Sequence, residues 1–205
     1  MTDESHHDHD HDHYHGSGHD HEHEHDHEHD HEHDDVLIVD QLPAGTWRVD
    51  TDGSEVAFTA RTLLGLVPVR GLFERFHGEL LVAADGASSG ALVVETASIQ
   101  TGLARRDRDL RGQRYFDAER HPEMVFTLAQ ITPAPAQELD VSGTLEVCGK
   151  HVAMSFRAQA IAHGDHLHIE GSVSVDHDLA GLGWAKPGLV SSRVRAQVAL
   201  TLTPA

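Results

Sequence analysis

The sequence predicts an all-β domain of about eight antiparallel strands, a barrel or a sandwich, behind a disordered N-terminal tail. Three observations carry this. Apolar residues recur at every second position over most of the chain after Thr46, turn dipeptides punctuate those runs, and residues 1–35 contain almost nothing that could be buried.

The tail comes first in the chain. Residues 5–35 alternate His with Asp or Glu, broken only by Tyr14 and Gly16-Ser17-Gly18; residues 1–35 hold 14 of the 21 His and 14 of the 34 acids, and no Lys or Arg. Fixing a backbone costs roughly 1–2 kcal/mol per residue, and without apolar side chains nothing offsets it, so disorder is expected. Imidazole and carboxylate are ligands for first-row divalent ions, and a flexible array gathers several around one ion. The candidate ligands for Ni, Zn or Cu are His6, His7, His9, His11, His13, His15, His19, His21, His23, His25, His27, His29, His31 and His33. Protonation of the imidazoles near pH 6 should release the metal. Residues 36–44, an apolar stretch Val36 to Val39 followed by Gln41-Leu42-Pro43-Ala44, are expected to be a linker, and 45–205 the folded domain.

Within the domain the clearest alternations are Val56-Phe58-Ala60, Val141-Gly143-Leu145-Val147 and Val194-Ala196-Val198-Leu200-Leu202. Each reads as a half-buried strand, because successive side chains of a strand point to opposite faces. Shorter candidates are Glu79 to Ala83, Ala91 to Glu95, Met124 to Ile131, Val152 to Ala160, His166 to Glu170 and Ser172 to Val175. Turns are expected at Asp85-Gly86, Ser89-Gly90, Pro133 to Pro135, Gly149-Lys150, Gly164-Asp165 and Gly181 to Gly183. Leu103 to Phe116 departs from period two. Leu103, Asp107, Leu110 and Arg114 share one face at helical spacing, which predicts a short surface helix.

Composition and motifs exclude several function classes. Outside the tail 20 acids stand against 15 Lys and Arg, so the clustered positive charge that binds nucleic acid is missing. No run of about 20 apolar residues occurs, hence no membrane-spanning helix, and no basic-then-apolar leader precedes the tail, so a cytoplasmic location is expected. The single cysteine, Cys148, cannot close an intramolecular disulfide and reads as a small apolar residue in a strand. No nucleophile elbow, glycine-rich phosphate loop or His-Glu-X-X-His motif is present. The expectation is a binding protein, not an enzyme, with no required cofactor.

Two clusters remain. His163, Asp165, His166 and His168 surround the Gly164-Asp165 turn, as a second metal site or as an exposed hairpin tip. Arg105, Arg106, Arg108, Arg111 and Arg114, with Arg61 and Arg70, either receive an anionic head group or form a solvated face pairing with Asp107, Asp109 and Glu119.

The order of several short motifs resembles the YceI-like family of polyisoprenoid-binding, lipocalin-like proteins. They are Trp47-Arg48-Val49-Asp50, Ser54-Glu55-Val56-Ala57-Phe58, Val69-Arg70-Gly71-Leu72-Phe73, Phe76-His77-Gly78, Ser98-Ile99-Gln100-Thr101, Arg106 to Arg111, Phe116 to Pro122 with Phe126, and Val141-Ser142-Gly143-Thr144-Leu145. The resemblance spans residues 45–203 and leaves the tail outside. It implies an extended eight-stranded antiparallel barrel with one helix, enclosing an apolar tunnel that can hold an isoprenoid chain. On that basis Phe58, Phe73, Phe76, Phe126, Met154 and Phe156 are the expected lining, with Arg70 and Arg111 at the polar mouth. The chain departs from the family pattern at Arg61 to Leu64, at Arg114-Tyr115-Phe116-Asp117 and at Asp176 to Ala180, so its mouth differs. The reading that results is a carrier of a long isoprenoid or quinone-like lipid with a metal-binding tail; the alternative is a metal buffer or delivery protein using the barrel as scaffold. An isologous strand or helix contact could give a homodimer.

Overall fold

The structure, a computed structural model, describes residues 36–39, 41–62, 67–176 and 193–205. The His-rich segment 1–35, with its 14 candidate ligands, and the turn expected at Gly181 to Gly183 lie outside the described residues. In chain order the elements are β1 (Val36–Val39), β2 (Gly45–Thr62), β3 (Val67–Phe73), β4 (Phe76–Val82), β5 (Ser88–Glu95), β6 (Ile99–Gln100), α1 (Ala104–Arg111), β7 (Glu123–Ala134), β8 (Glu138–Val147), β9 (Lys150–His163), β10 (His166–Asp176) and β11 (Arg193–Pro204).

Eight of these strands close into an antiparallel barrel, in the order β2, β4, β5, β7, β8, β9, β10, β11, with β11 pairing back onto β2. Closure pairs the first and last of the eight strands with each other, so neither is left as an outer edge. β2 serves two neighbours along one side. Gly45–Arg48 pair with β4, and Val56–Thr62 pair with β3, which extends the wall past the end of β4. Residues 51–54 bulge opposite Leu200 in β11, because the register passes from Thr201↔Asp50 directly to Ala199↔Glu55. Side chains stitch the bulge: the Thr201 amide donates to Ser54 Oγ at 2.9 Å and Thr201 Oγ1 donates to the Gly53 carbonyl at 2.7 Å. Such bulges bend a strand and let a sheet coil into a barrel.

Several expectations are corrected by these strands. The apolar stretch placed in the linker is strand β1, which lies along β9 from Val36↔His163 to Val39↔Ala160, past the point where β8 stops pairing at Leu139↔Ala158. Ser89-Gly90 is not a turn but lies inside β5. A Cβ at Gly90 would sit 2.3 Å from the Glu79 carbonyl, so the glycine marks a close approach of two backbones. The two runs His166–Glu170 and Ser172–Val175 are one strand, β10, and β7 continues through Pro133, which pairs with Leu139. The helix is shorter than its spacing suggested: Gly112 leaves the helix with extended dihedrals, and turns follow to Arg120. Cys148 lies in the β8–β9 turn, not in a strand. It and Gly149 both have positive φ, 49° and 70°, as a two-residue type I′ hairpin requires.

Two buried clusters fill the barrel. Near α1, Phe58, Phe73, Phe76, Ile99, Leu110 and Phe116 pack together, and toward the opposite end Leu42, Trp47, Leu80, Leu139, Leu167 and Leu202 do so. Burying each such side chain contributes roughly 1.5–3 kcal/mol relative to leaving it in water.

Candidate ligand-binding site

The alternation of β11 sets the site. Its inward residues Val194, Ala196, Val198, Leu200 and Leu202 all line one cavity, so the lining extends over eight residue steps, about 26 Å of strand at ~3.3 Å per residue. The cavity volume is about 240 Å³. Opposite strands supply Val56 and Phe58 from β2, Leu92 and Val94 from β5, Met124, Phe126 and Leu128 from β7, Met154 and Phe156 from β9, and Ile169, Val173 and Val175 from β10. Among the described residues the lining is apolar except for Ser172 and Glu79, and the carboxylate of Glu79 is engaged at the exposed surface by Arg48 at 3.3 Å.

Aromatic rings gather at the two ends. Phe58, Phe73 and Phe116 form one chain of contacts, with centroids 5.9 and 5.8 Å apart, and Phe126 faces Phe156 at 6.0 Å. Three of these rings rest over glycines of neighbouring strands: Phe58 over Gly71, Phe126 over Gly143 and Phe156 over Gly171. A missing Cβ at each position makes room for a ring to lie against the wall instead of across the cavity, which keeps the interior open.

Five of the eight residues expected at the site line the cavity: Phe58, Phe73, Phe126, Met154 and Phe156. Phe76 does not; it is 7% exposed and belongs to the packed cluster beneath α1. Arg70 is on the exposed side of β3, paired with Glu55 at 2.5 Å, because its neighbours Val69 and Gly71 occupy the inward-facing positions of an alternating strand. Arg111 is turned inward beneath β6, where its Nη2 donates to the Ile99 carbonyl at 2.8 Å. Neither arginine lines the cavity. Phe116, which does, was concealed by its position in a segment with helical spacing.

The helix motif has a structural role instead. Asp107 is 4% exposed, accepts the Thr101 amide at 2.9 Å, and also bonds the Thr101 hydroxyl. Arg106 donates to Thr101 Oγ1 and to the Thr101 carbonyl, both at 2.7 Å. Arg106 and Arg111 thus satisfy backbone carbonyls of the segment that leads into α1, not the acids Asp109 and Glu119. The His-Pro pair does similar work: the His121 and Pro122 carbonyls accept from Thr96 Oγ1 at 2.7 Å and from the Thr96 amide at 2.8 Å. These bonds hold α1 and residues 112–122 over one end of the barrel, with Leu110 and Phe116 pointing into the core.

Cys148 joins this end. Its thiol is half-buried and donates to the Phe116 carbonyl at 3.4 Å, and burial, followed by the nearby Asp117 carboxylate, pushes its pKa above the ordinary thiol value. Such a thiol is a poor nucleophile. At the other end of the barrel the histidine cluster is a surface hairpin tip: His166 contacts Asp165 at 2.5 Å and His168 contacts Glu170 at 3.1 Å. No group of three or more His, Cys, Asp or Glu side chains able to hold a metal ion occurs among the described residues. Nor is any helix among them long and apolar enough to cross a membrane.

The YceI-like domain profile matches residues 47–202. A UPF0312 protein of Vibrio cholerae is 27% identical over 124 residues, covering 59% of this chain and 66% of that protein. The YceI protein of Escherichia coli O157:H7 is 27% identical over 128 residues, covering 60% and 65%. The chain therefore spans slightly under two thirds of the length of these curated relatives. Among solved structures, Burkholderia cenocepacia BcnA superposes with a TM-score of 0.70 at 22% identity, covering 75% of this chain and 98% of that one. A polyisoprenoid-binding domain from Saccharophagus degradans gives 0.63 at 15%, covering 78% and 98%. Profile, relatives and barrel agree: the chain belongs to the YceI-like domain family.

Proposed function

We propose that this protein is a non-catalytic carrier that holds one long apolar molecule, of isoprenoid or quinone-like type, along the barrel. The observation that carries the reading is the continuous apolar lining from Val194 to Leu202 and across the facing strands. Such a wall offers no replacement for the hydration of a charged chain, whereas an alkyl or prenyl chain gains about 0.8 kcal/mol for each CH₂ it buries. The polyisoprenoid-binding domain of Saccharophagus degradans, which shares the fold, supports the same choice of ligand. Among the described residues no assembled nucleophile, base and oxyanion donor borders the cavity, which favours holding over transformation.

Loading tests this directly. Full-length protein stripped of bound lipid is titrated with a C40 polyprenol and followed by thermal unfolding. At a hundredfold excess over Kd, binding contributes about 2.7 kcal/mol, a rise of roughly 5–10 °C for a domain of this size. An unchanged midpoint contradicts the reading.

The tail supports a second role, divalent metal binding. Its alternating imidazole and carboxylate pattern is the observation that favours it, with the barrel then a scaffold for metal buffering or delivery. Titration of the full chain and of one lacking residues 1–35 with Zn or Ni separates the two roles.

A further inference from the structure

The barrel wall is not continuous. Between β5 and β7 the ladder runs from Glu95↔Glu123 to Gly90↔Leu128 and stops there, although β5 continues to pair with β4 as far as Ser88 and β7 continues to pair with β8 as far as Ala134. The break coincides with a bulge: the β7–β8 register skips Ala129 between Leu128 and Gln130. Past it the Ile131 amide, which a regular ladder would give to β5 backbone, donates to the Ser88 hydroxyl at 2.9 Å. A second cavity of about 520 Å³ occupies the gap.

Its lining differs from that of the barrel interior. Gln41, Asp85, Ser88, Gln130 and Thr132 provide hydrogen-bonding groups, and Val82, Leu139 and Leu42 an apolar floor. Ile131 borders both cavities and, among the described residues, is the one they share. At this end of the barrel Leu42, Trp47, Leu139 and Leu167 are 0–9% exposed and belong to one packed cluster. The other end, among the described residues, is covered by Leu110 and Phe116.

We propose that the β5–β7 gap is a lateral portal, with Ile131 as its gate, where the polar end of the bound chain leaves the barrel. The inference rests on the carrier reading and adds where the ligand enters and what head group it bears. That head group is uncharged and hydrogen-bonding: an alcohol, a quinone or an amide. Asp85 is the one charged side chain among the described residues lining the gap, with no Lys, Arg or His beside it. A phosphate placed there would meet a carboxylate and no cation.

Transfer from phosphatidylcholine vesicles doped with a C40 polyprenol, or with the same polyprenyl monophosphate, tests the portal in the full-length chain. The wild type should take up the alcohol at least tenfold faster than the monophosphate. Ile131→Trp should slow uptake of the alcohol at least tenfold with an unchanged circular dichroism spectrum, and Asp85→Lys should remove the preference. As a second measurement independent of the gate variant, the thiol introduced by Gln130→Cys in a Cys148→Ser chain should react with a maleimide at least fivefold more slowly once the polyprenol is bound. Wild-type uptake by Ile131→Trp together with a thiol equally reactive in empty and loaded protein overturns the portal alone. Failure of the wild type to take up either lipid overturns the carrier reading and the portal with it.

Discussion

The ring of Phe58 on β2 lies over Gly71 on β3, its direct partner across the ladder, so closely that a Cβ on Gly71 would come within 2.4 Å of two ring atoms. A diagonal version recurs at Gly171, whose ladder partner is Ala158 and whose Cβ would be 2.9 Å from the ring of Phe156. Wall glycines therefore determine how far the cavity's aromatics intrude.

Gly171→Ala gives the cleanest test of that relationship, because the nearest atoms belong to the Phe156 side chain and not to backbone. Displacing the ring into the cavity should cost about 1–3 kcal/mol, as overpacking does. Adding Phe156→Leu should restore most of the loss, visible as a coupling energy in a denaturation double-mutant cycle. Additive losses would show that the ring and the glycine act separately.

Asp107 should be the most sensitive polar residue of the capped end. Asp107→Ala leaves the Thr101 amide without its acceptor and frees Arg106 from a bond network anchored at Thr101. A loss of about 1–3 kcal/mol in urea unfolding is expected, with Asp107→Asn losing less because it keeps an acceptor oxygen.

Cys148 yields a pH dependence. Its pKa is raised in the folded chain by burial and then by Asp117, so above the ordinary thiol value of about 8.5 the unfolded chain releases a proton that the folded chain retains. Stability should be unaffected by this group below about pH 8 and should fall as pH rises beyond that. Cys148→Ser should flatten the alkaline slope of unfolding midpoint against pH, and iodoacetamide should modify the folded thiol more slowly than a cysteine-containing peptide.

Metal binding by the tail predicts the opposite pH direction. Zn or Ni must compete with protons for the imidazoles, so isothermal titration should show binding near pH 7.5 that weakens steeply below about pH 6.5. Removing residues 1–35 should abolish it while leaving the barrel's unfolding midpoint in place.

How much of this was legible in the sequence varied with the physics at each position. Period two identified β8 and β11 and the inward set Val194 to Leu202, since a wall with one apolar and one wet face must alternate. It passed over residues 45–55 of β2, where the bulge and exposed Thr51, Asp52 and Gly53 break the pattern, and over β3, whose residues 67, 68, 70 and 72 are exposed. Gly90 read as a turn because a glycine demanded by close backbone approach is indistinguishable, in sequence, from one demanded by positive φ. Composition could not separate Phe76 in the packed cluster from Phe73 on the cavity, as both are buried aromatics two strands apart. Arg70 and Arg111 carried charge suited to an anionic head group, yet one pairs with Glu55 outside and the other holds the Ile99 carbonyl. The gap at Ile131 had no signature at all, because it arises from the pairing of β5 with β7 and not from either strand alone.

The carrier account is tested most directly by identifying what the barrel holds when the untagged full-length protein is purified without detergent. Organic extraction followed by mass spectrometry, with Val198→Trp as the filled-cavity control, should recover close to one long-chain apolar molecule per wild-type chain and at least tenfold less from the variant. A wild-type barrel that is reproducibly empty, or a molecule recovered equally from both proteins, would contradict the account.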